Sequence, residues 1–163
     1  MACNKNKEEV PGVLVQTGST TAPLGSGALP PVVPVVPVDP AALGRLASEA
    51  LRAHAAKDGR ALVDLVQPSE RERATKEILP GGAARDSYFA DRTWRMKAVQ
   101  AWDGNLHEMR IEGRRARIRF TMIEQDRAGV VELIHEDGSW YFRDIKRPPR
   151  GDFLRWGRPI QVP

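Results

Sequence analysis

The chain has 163 residues, with 25 Lys and Arg against 21 Asp and Glu, and a single cysteine. One cysteine excludes an intrachain disulfide, and a net charge of +4 interspersed with acids is too small to imply nucleic acid. No stretch approaches the roughly 18 continuous apolar residues of a membrane-spanning helix, and the about 120 residues of domain-like sequence build one core rather than two.

From Val10 to Val38 there is no charged side chain, and proline recurs at Pro11, Pro23, Pro30, Pro31, Pro34 and Pro37. Proline fixes its own φ and drives the preceding residue toward extended backbone, so residues 29–37 favour polyproline II. The Gly, Ser and Thr of 17–21 and 25–27 are more flexible. Residues 1–39 therefore read as a tether that spans on the order of 90 Å when extended. Two plainer readings stand beside it: a disordered leader, and a proline-rich segment that docks in a partner's aromatic groove.

Asp39 before Pro40 supplies a capping side chain and a proline for the first helical position. Leu43, Leu46, Ala47, Ala50, Leu51 and His54 then recur at helical spacing, with Arg45, Glu49, Arg52 and Lys57 on the other side. Asp58-Gly59 ends this helix, and Ala61, Leu62, Leu65 and Val66 predict a second, short one that Pro68 stops. Ser69 offers an N-cap, with Glu70 and Glu72 behind it, for a third helical piece closed by Pro80-Gly81-Gly82. Residues 86–102 leave two readings open. Phe89, Met96, Val99 and Trp102 fit a helix, whereas Trp94, Met96 and Ala98 alternate as a strand would.

After Gly104 the period becomes two. Residues 106–111, 115–123, 128–135 and 140–146 predict four strands, and Asp137-Gly138 places glycine where a tight hairpin needs positive φ. On the second strand Ala116, Ile118, Phe120 and Met122 face one way, and Arg115, Arg117, Arg119 and Thr121 the other. Trp140 and Phe142 resume the inward alternation on the fourth. Helices first and an antiparallel meander afterwards describe an α+β fold over residues 40–147, followed by an extension rich in Pro and Arg over 148–163.

The order at the start, Cys3, then the polar run from Asn4 to Glu9, then a flexible linker and a globular domain, resembles a mature bacterial lipoprotein whose secretion signal lies upstream. That resemblance implies lipid attachment at Cys3 and a membrane anchor. Asn4 after the cysteine, in place of the aspartate associated with inner-membrane retention, implies the periplasmic face of the outer membrane. Within the domain, the run from Ala50 to Val66 resembles the opening of the nuclear transport factor 2-like superfamily, and Gly138-Ser139-Trp140 entering the last strand is similar to its closing hairpin. The likeness covers residues 40–147. It implies a cone, a curved antiparallel sheet wrapped around N-terminal helices, with a pocket found in enzymes and non-enzymes alike.

Chemistry in such a cone needs titratable groups converging on the pocket. His54 lies on the apolar side of the first helix and Asp144 shares strand parity with Trp140 and Phe142, so these two would serve a small-molecule-binding or isomerase-like pocket; as structural residues they would be hydrogen-bonded or paired with an arginine. His107 and His135 lie near strand ends. No metal-ligand spacing and no phosphate loop point to a metal or cofactor. Binding has more to work with. Arg115, Arg117, Arg119 and Arg143 would form a basic stripe crossed by Tyr141, suited to an acidic envelope protein, unless the arginines are simply paired with Glu132. Phe153 and Trp156, in the tail from Pro148, either fold back across the domain or meet a partner. These residues point to a non-enzymatic, lipid-anchored, protein-binding or scaffold subunit of the cell envelope.

Overall fold

The computed structural model describes residues 36–81 and 93–161, all within the compact unit Val33–Pro163. Most of the expected tether, Cys3, and the start of the ambiguous segment with Phe89 lie outside the described residues. The fold is α+β, with helices N-terminal to a five-stranded antiparallel sheet.

Helix α1, Pro40–Ala56, begins as expected: Ala41 N–H donates to Asp39 Oδ1 at 2.9 Å, and proline opens the first turn. Lys57 closes it in the left-handed region at φ 54°. Asp58 caps α2, Gly59–Leu65, by accepting from Ala61 N–H at 3.0 Å. The third helix, α3, covers Pro68–Ile78. Pro68 thus starts this helix rather than only stopping the previous one, because the first helical position needs no N–H donor. Ser69, expected as the cap, lies inside it. The ambiguity before Gly104 resolves as helix α4 over Thr93–Gln100.

Strands β1, Glu108–Glu112, β2, Arg115–Glu124, β3, Arg127–Glu136, and β4, Ser139–Lys146, follow the predicted periods closely. The last hairpin turns on Asp137 and Gly138, both with positive φ (48° and 81°), the mirror-image turn whose twist matches the strands. A short helix α5, Arg150–Arg155, and a strand β5, Arg158–Ile160, come last. The sheet order is β4-β3-β2-β1-β5. The segment expected as an extension therefore adds an edge strand to the domain sheet.

The helices cover the inner sheet face. Leu43, Leu51, Leu62, Val99, Ile118, Leu133 and Phe142 share one buried cluster there. Among the described residues three irregularities interrupt the pairing, two in β2, at Arg119/Thr121 and at Met122/Glu124, and one in β4, and the first and the last of them move expected inward residues to the other face. In β2 the pairing shifts between Arg119 and Thr121, so Met122, expected beside Ile118, instead meets Ala128, Val130 and Phe153 on the outer face. In β4 the pairing shifts opposite Glu132 and Leu133, so Ile145 enters the core and Asp144, expected inward, stands across from Glu132. Each extra residue turns every later side chain to the opposite face.

Candidate functional site

The outer face is read in cross-strand rows. Arg110, Arg117, Glu132 and Asp144 form one row; Glu108, Arg119, Val130 and Lys146 flank it on one side, and Glu112, Arg115, Ile134 and Tyr141 on the other. Arg115, Arg117, Arg119 and Tyr141 thus share a face, as the alternation implied. Glu132, inside the apolar run Val130-Val131-Glu132-Leu133-Ile134, is fully buried at its centre. Arg117 Nε donates to its Oε2 at 2.9 Å, Lys146 Nζ donates to its Oε1 at 2.8 Å, and Arg143 Nε lies 3.6 Å from that same oxygen. Burial is the largest influence on this carboxyl and pushes its pKa up. The hydrogen bonds and charges of Lys146 and Arg117 together outweigh it, and the net direction is down.

The arginines of the expected stripe are not equivalent. Arg117 and Arg143 are held by Glu132, and Arg119 lies 3.7 Å from Glu108. Arg115 is exposed and has no ion pair among the described residues. Arg117 also lies 4.3 Å from the ring centroid of Trp156, a cation over an aromatic face. Arg110 donates to the Trp156 and Gly157 carbonyls at 2.6 and 2.9 Å, so the tail is strapped to the sheet by two arginines. Of the two tail residues considered for a partner, Phe153 is completely buried against Ala128 and Val130. Its surface belongs to the fold, because β3 needs an apolar cover where Met122 has crossed over.

His54 and Asp144 do not meet in one cavity. His54 is buried, its Nδ1 2.8 Å from the Ala50 carbonyl one turn back and its ring edge-on to Phe142 at 5.4 Å. Asp144 is turned outward by the shift in β4 and takes both Nη atoms of Arg95, at 2.7 and 3.3 Å. His107 pairs with Asp103 at 3.2 Å. Asp103, an exposed residue, is itself held below the ordinary aspartate value, chiefly by Asn105 N–H donating to it. Among the described residues no group of three or more His, Cys, Asp or Glu is placed to hold a metal, and no helix is long and apolar enough to cross a membrane.

A cleft of about 470 Å³ opens between α3 and the β4 side of this face. Val66, Ala74, Ile134 and Phe142 give it apolar surface; Arg143, Lys146 and Asp144 line its sheet side, and Glu70, Arg73 and Glu77 its helix side. Asp144 lines it and His54 does not. Sequence reading missed the cleft, since Val66, Gln67 and Ala74 carry no signal of their own. The central role of Glu132 was legible as the one charge in a five-residue apolar run. Comparison of the chain with family models, with curated proteins and with solved structures gives no match.

Proposed function

We propose that this chain is a tethered, non-enzymatic binding module of a bacterial envelope, carried on a lipid at Cys3 and offering its outer sheet face to an acidic protein partner, as a scaffold or accessory subunit. The observation that carries the reading is the charge of that face. Six cations, Arg110, Arg115, Arg117, Arg119, Arg143 and Lys146, stand there against Glu108, Glu112, Glu132 and Asp144, the last of which is already taken by Arg95. Glu132 holds three of them to a rigid sheet, a pre-ordering that lowers the entropic cost of engaging a carboxylate-rich surface. The row Arg115, Ile134 and Tyr141 adds a half-buried apolar and aromatic centre beside an exposed guanidinium.

The α+β order supports a nuclear transport factor 2-like cone as the finer description of the fold, and the resemblance at Cys3 supports the periplasmic face of the outer membrane. The alternative, an isomerase-like cone using His54 and Asp144, has less behind it, because each of those groups has a partner inside the fold.

The test is Arg115→Glu combined with Tyr141→Ala, two changes away from the buried Glu132. The variant should fold as the wild type does and lose co-purification of its envelope partner, and wild-type association should weaken as salt rises. Capture unchanged by the substitutions and by salt would overturn the acidic-partner reading. Cys3→Ser in the precursor should release the protein from the membrane fraction. Unchanged fractionation would remove the anchor.

A further inference from the structure

We propose that the cleft between α3 and β4 binds a small amphipathic anion: a carboxylate or phosphate monoester with an apolar body and an N–H or O–H donor. The cleft, about 470 Å³, has the size of small-molecule sites, which run roughly from 300 to 1,000 Å³. Three features of its lining set the ligand's chemistry.

The first is unused donor capacity on the sheet side. Lys146 spends one N–H on Glu132 Oε1, and Arg143 reaches that same oxygen only at 3.6 Å and makes no hydrogen bond among the described residues. The other Glu132 oxygen is taken by Arg117. Glu132 thus faces three cations, and the free N–H groups of Lys146 and Arg143 lie on the cleft's sheet side, where Arg143 is 41 % exposed and the neighbouring Asp144 and Glu136 have Arg95 and Arg114 as their own cations. An anionic oxygen placed there accepts from those N–H groups in charge-assisted hydrogen bonds.

The second feature is the Gln67 side-chain oxygen. It is buried in the lining without a hydrogen-bond partner among the described residues. A buried acceptor left open calls for a donor, and an N–H or O–H of the ligand supplies one. The third is the division of the remaining lining. Val66 and Phe142 offer apolar surface for the ligand body, while the helix side carries Glu70 and Glu77 around one cation, Arg73, and disfavours the anionic group at that end. The anionic group of the ligand therefore lies at the β4 end.

N-acetyl-leucine carries a carboxylate, an N–H and an apolar side chain; phenyl phosphate carries a phosphate on an apolar ring and no N–H, and N-acetyl-leucine amide removes the charge. Titrated against the full chain by NMR, N-acetyl-leucine or phenyl phosphate should shift the resonances of Val66, Ala74, Ile134 and Phe142 saturably, and the tighter of the two identifies the anion. The amide, and the surface substitution Arg143→Gln, should each weaken binding roughly tenfold or more, the loss of one charge-assisted interaction. Gln67→Leu should abolish the preference for N-acetyl-leucine over its ester-linked analogue, 2-acetoxy-4-methylpentanoate. Absence of saturable shifts with both anions, an amide that binds as tightly as N-acetyl-leucine, or an Arg143→Gln protein that binds the anion as tightly as the wild type would overturn the proposal. Arg115→Glu with Tyr141→Ala leaves this cleft intact, so loss of partner capture there and loss of anion binding here are separately readable.

Discussion

Glu132 and Asp144 stand directly opposite one another across the β3–β4 pair. Facing carboxylates repel, and the fold separates their charge by giving each its own cations: Lys146 and Arg117 for Glu132, Arg95 for Asp144. The Glu132 carboxyl, pushed up by burial but pulled further down by Lys146 and Arg117, titrates below its ordinary value of 4.5. A group whose folded pKa lies below its unfolded one contributes stability that is fully present above the unfolded value and is lost as pH falls through the folded value. The melting midpoint should therefore hold above about pH 5 as far as this group is concerned, and fall below about 4.5. Glu132→Gln should cost about 1–3 kcal/mol at neutral pH and flatten that acid limb. Parallel acid limbs in thermal melts of the two proteins would detach the cluster from acid sensitivity.

The tail provides an internal control of two neighbouring residues. Phe153 is buried on the outer face and Leu154 is 43 % exposed. Phe153→Ala should cost about 3–5 kcal/mol in urea denaturation. Leu154→Ala should stay within about 0.5 kcal/mol. Similar small losses for both would mean that α5 does not hold to β3 in solution.

Where the N-terminal segment enters the domain, residues before and after about position 36 should behave differently. Trp140 Nε1 donates to the Pro37 carbonyl at 3.2 Å, Val38 packs against the core, and Asp39 caps α1. Deleting residues 1–35 should leave the denaturation midpoint unchanged, whereas deletion through Asp39 should cost at least about 1 kcal/mol. Equal midpoints for the two truncations would show that the Trp140 contact and the cap contribute nothing.

Gly129 lies on β3 beside the irregularity of β2. A Cβ there would sit 2.8 Å from Thr121 Cγ2 and 2.9 Å from Phe120 Cζ, and the Phe120 ring is locked in the core. Gly129→Ala should cost about 1–3 kcal/mol through that overlap. Adding Phe120→Leu should recover part of it, so that a double-mutant cycle departs from additivity. Strict additivity would place the strain elsewhere.

The elements were legible wherever local chemistry decides them. Asp39-Pro40 announces a helix start, Asp137-Gly138 a hairpin, and the alternation from Arg115 to Arg119 a strand with one charged face. The sites at which reading failed are the shifts of register at Arg119/Thr121 in β2 and opposite Glu132/Leu133 in β4. Nothing in Phe120-Thr121-Met122 or in Phe142-Arg143-Asp144 marks an extra residue, because no glycine or proline stands there and the reversal is decided by the partner strand. Met122 and Asp144 were consequently assigned to the wrong face, and with Asp144 went the expected pairing with His54. The cleft escaped for a related reason: α3 and β4 lie about 70 positions apart in the chain, and only tertiary packing brings them to one cavity.

The single indole hydrogen bond at Pro37 also determines how the domain meets mechanical load. Tension transmitted from upstream arrives first at that bond and at the opening turn of α1, which peel one interaction at a time. The β2–β3 ladder, by contrast, has no bond to that end among the described residues, and the β3–β4 ladder is reached only through the Trp140 side chain. A pull applied at Pro37 would therefore act on the helical layer over the inner sheet face before it reaches the cationic outer face with its buried glutamate.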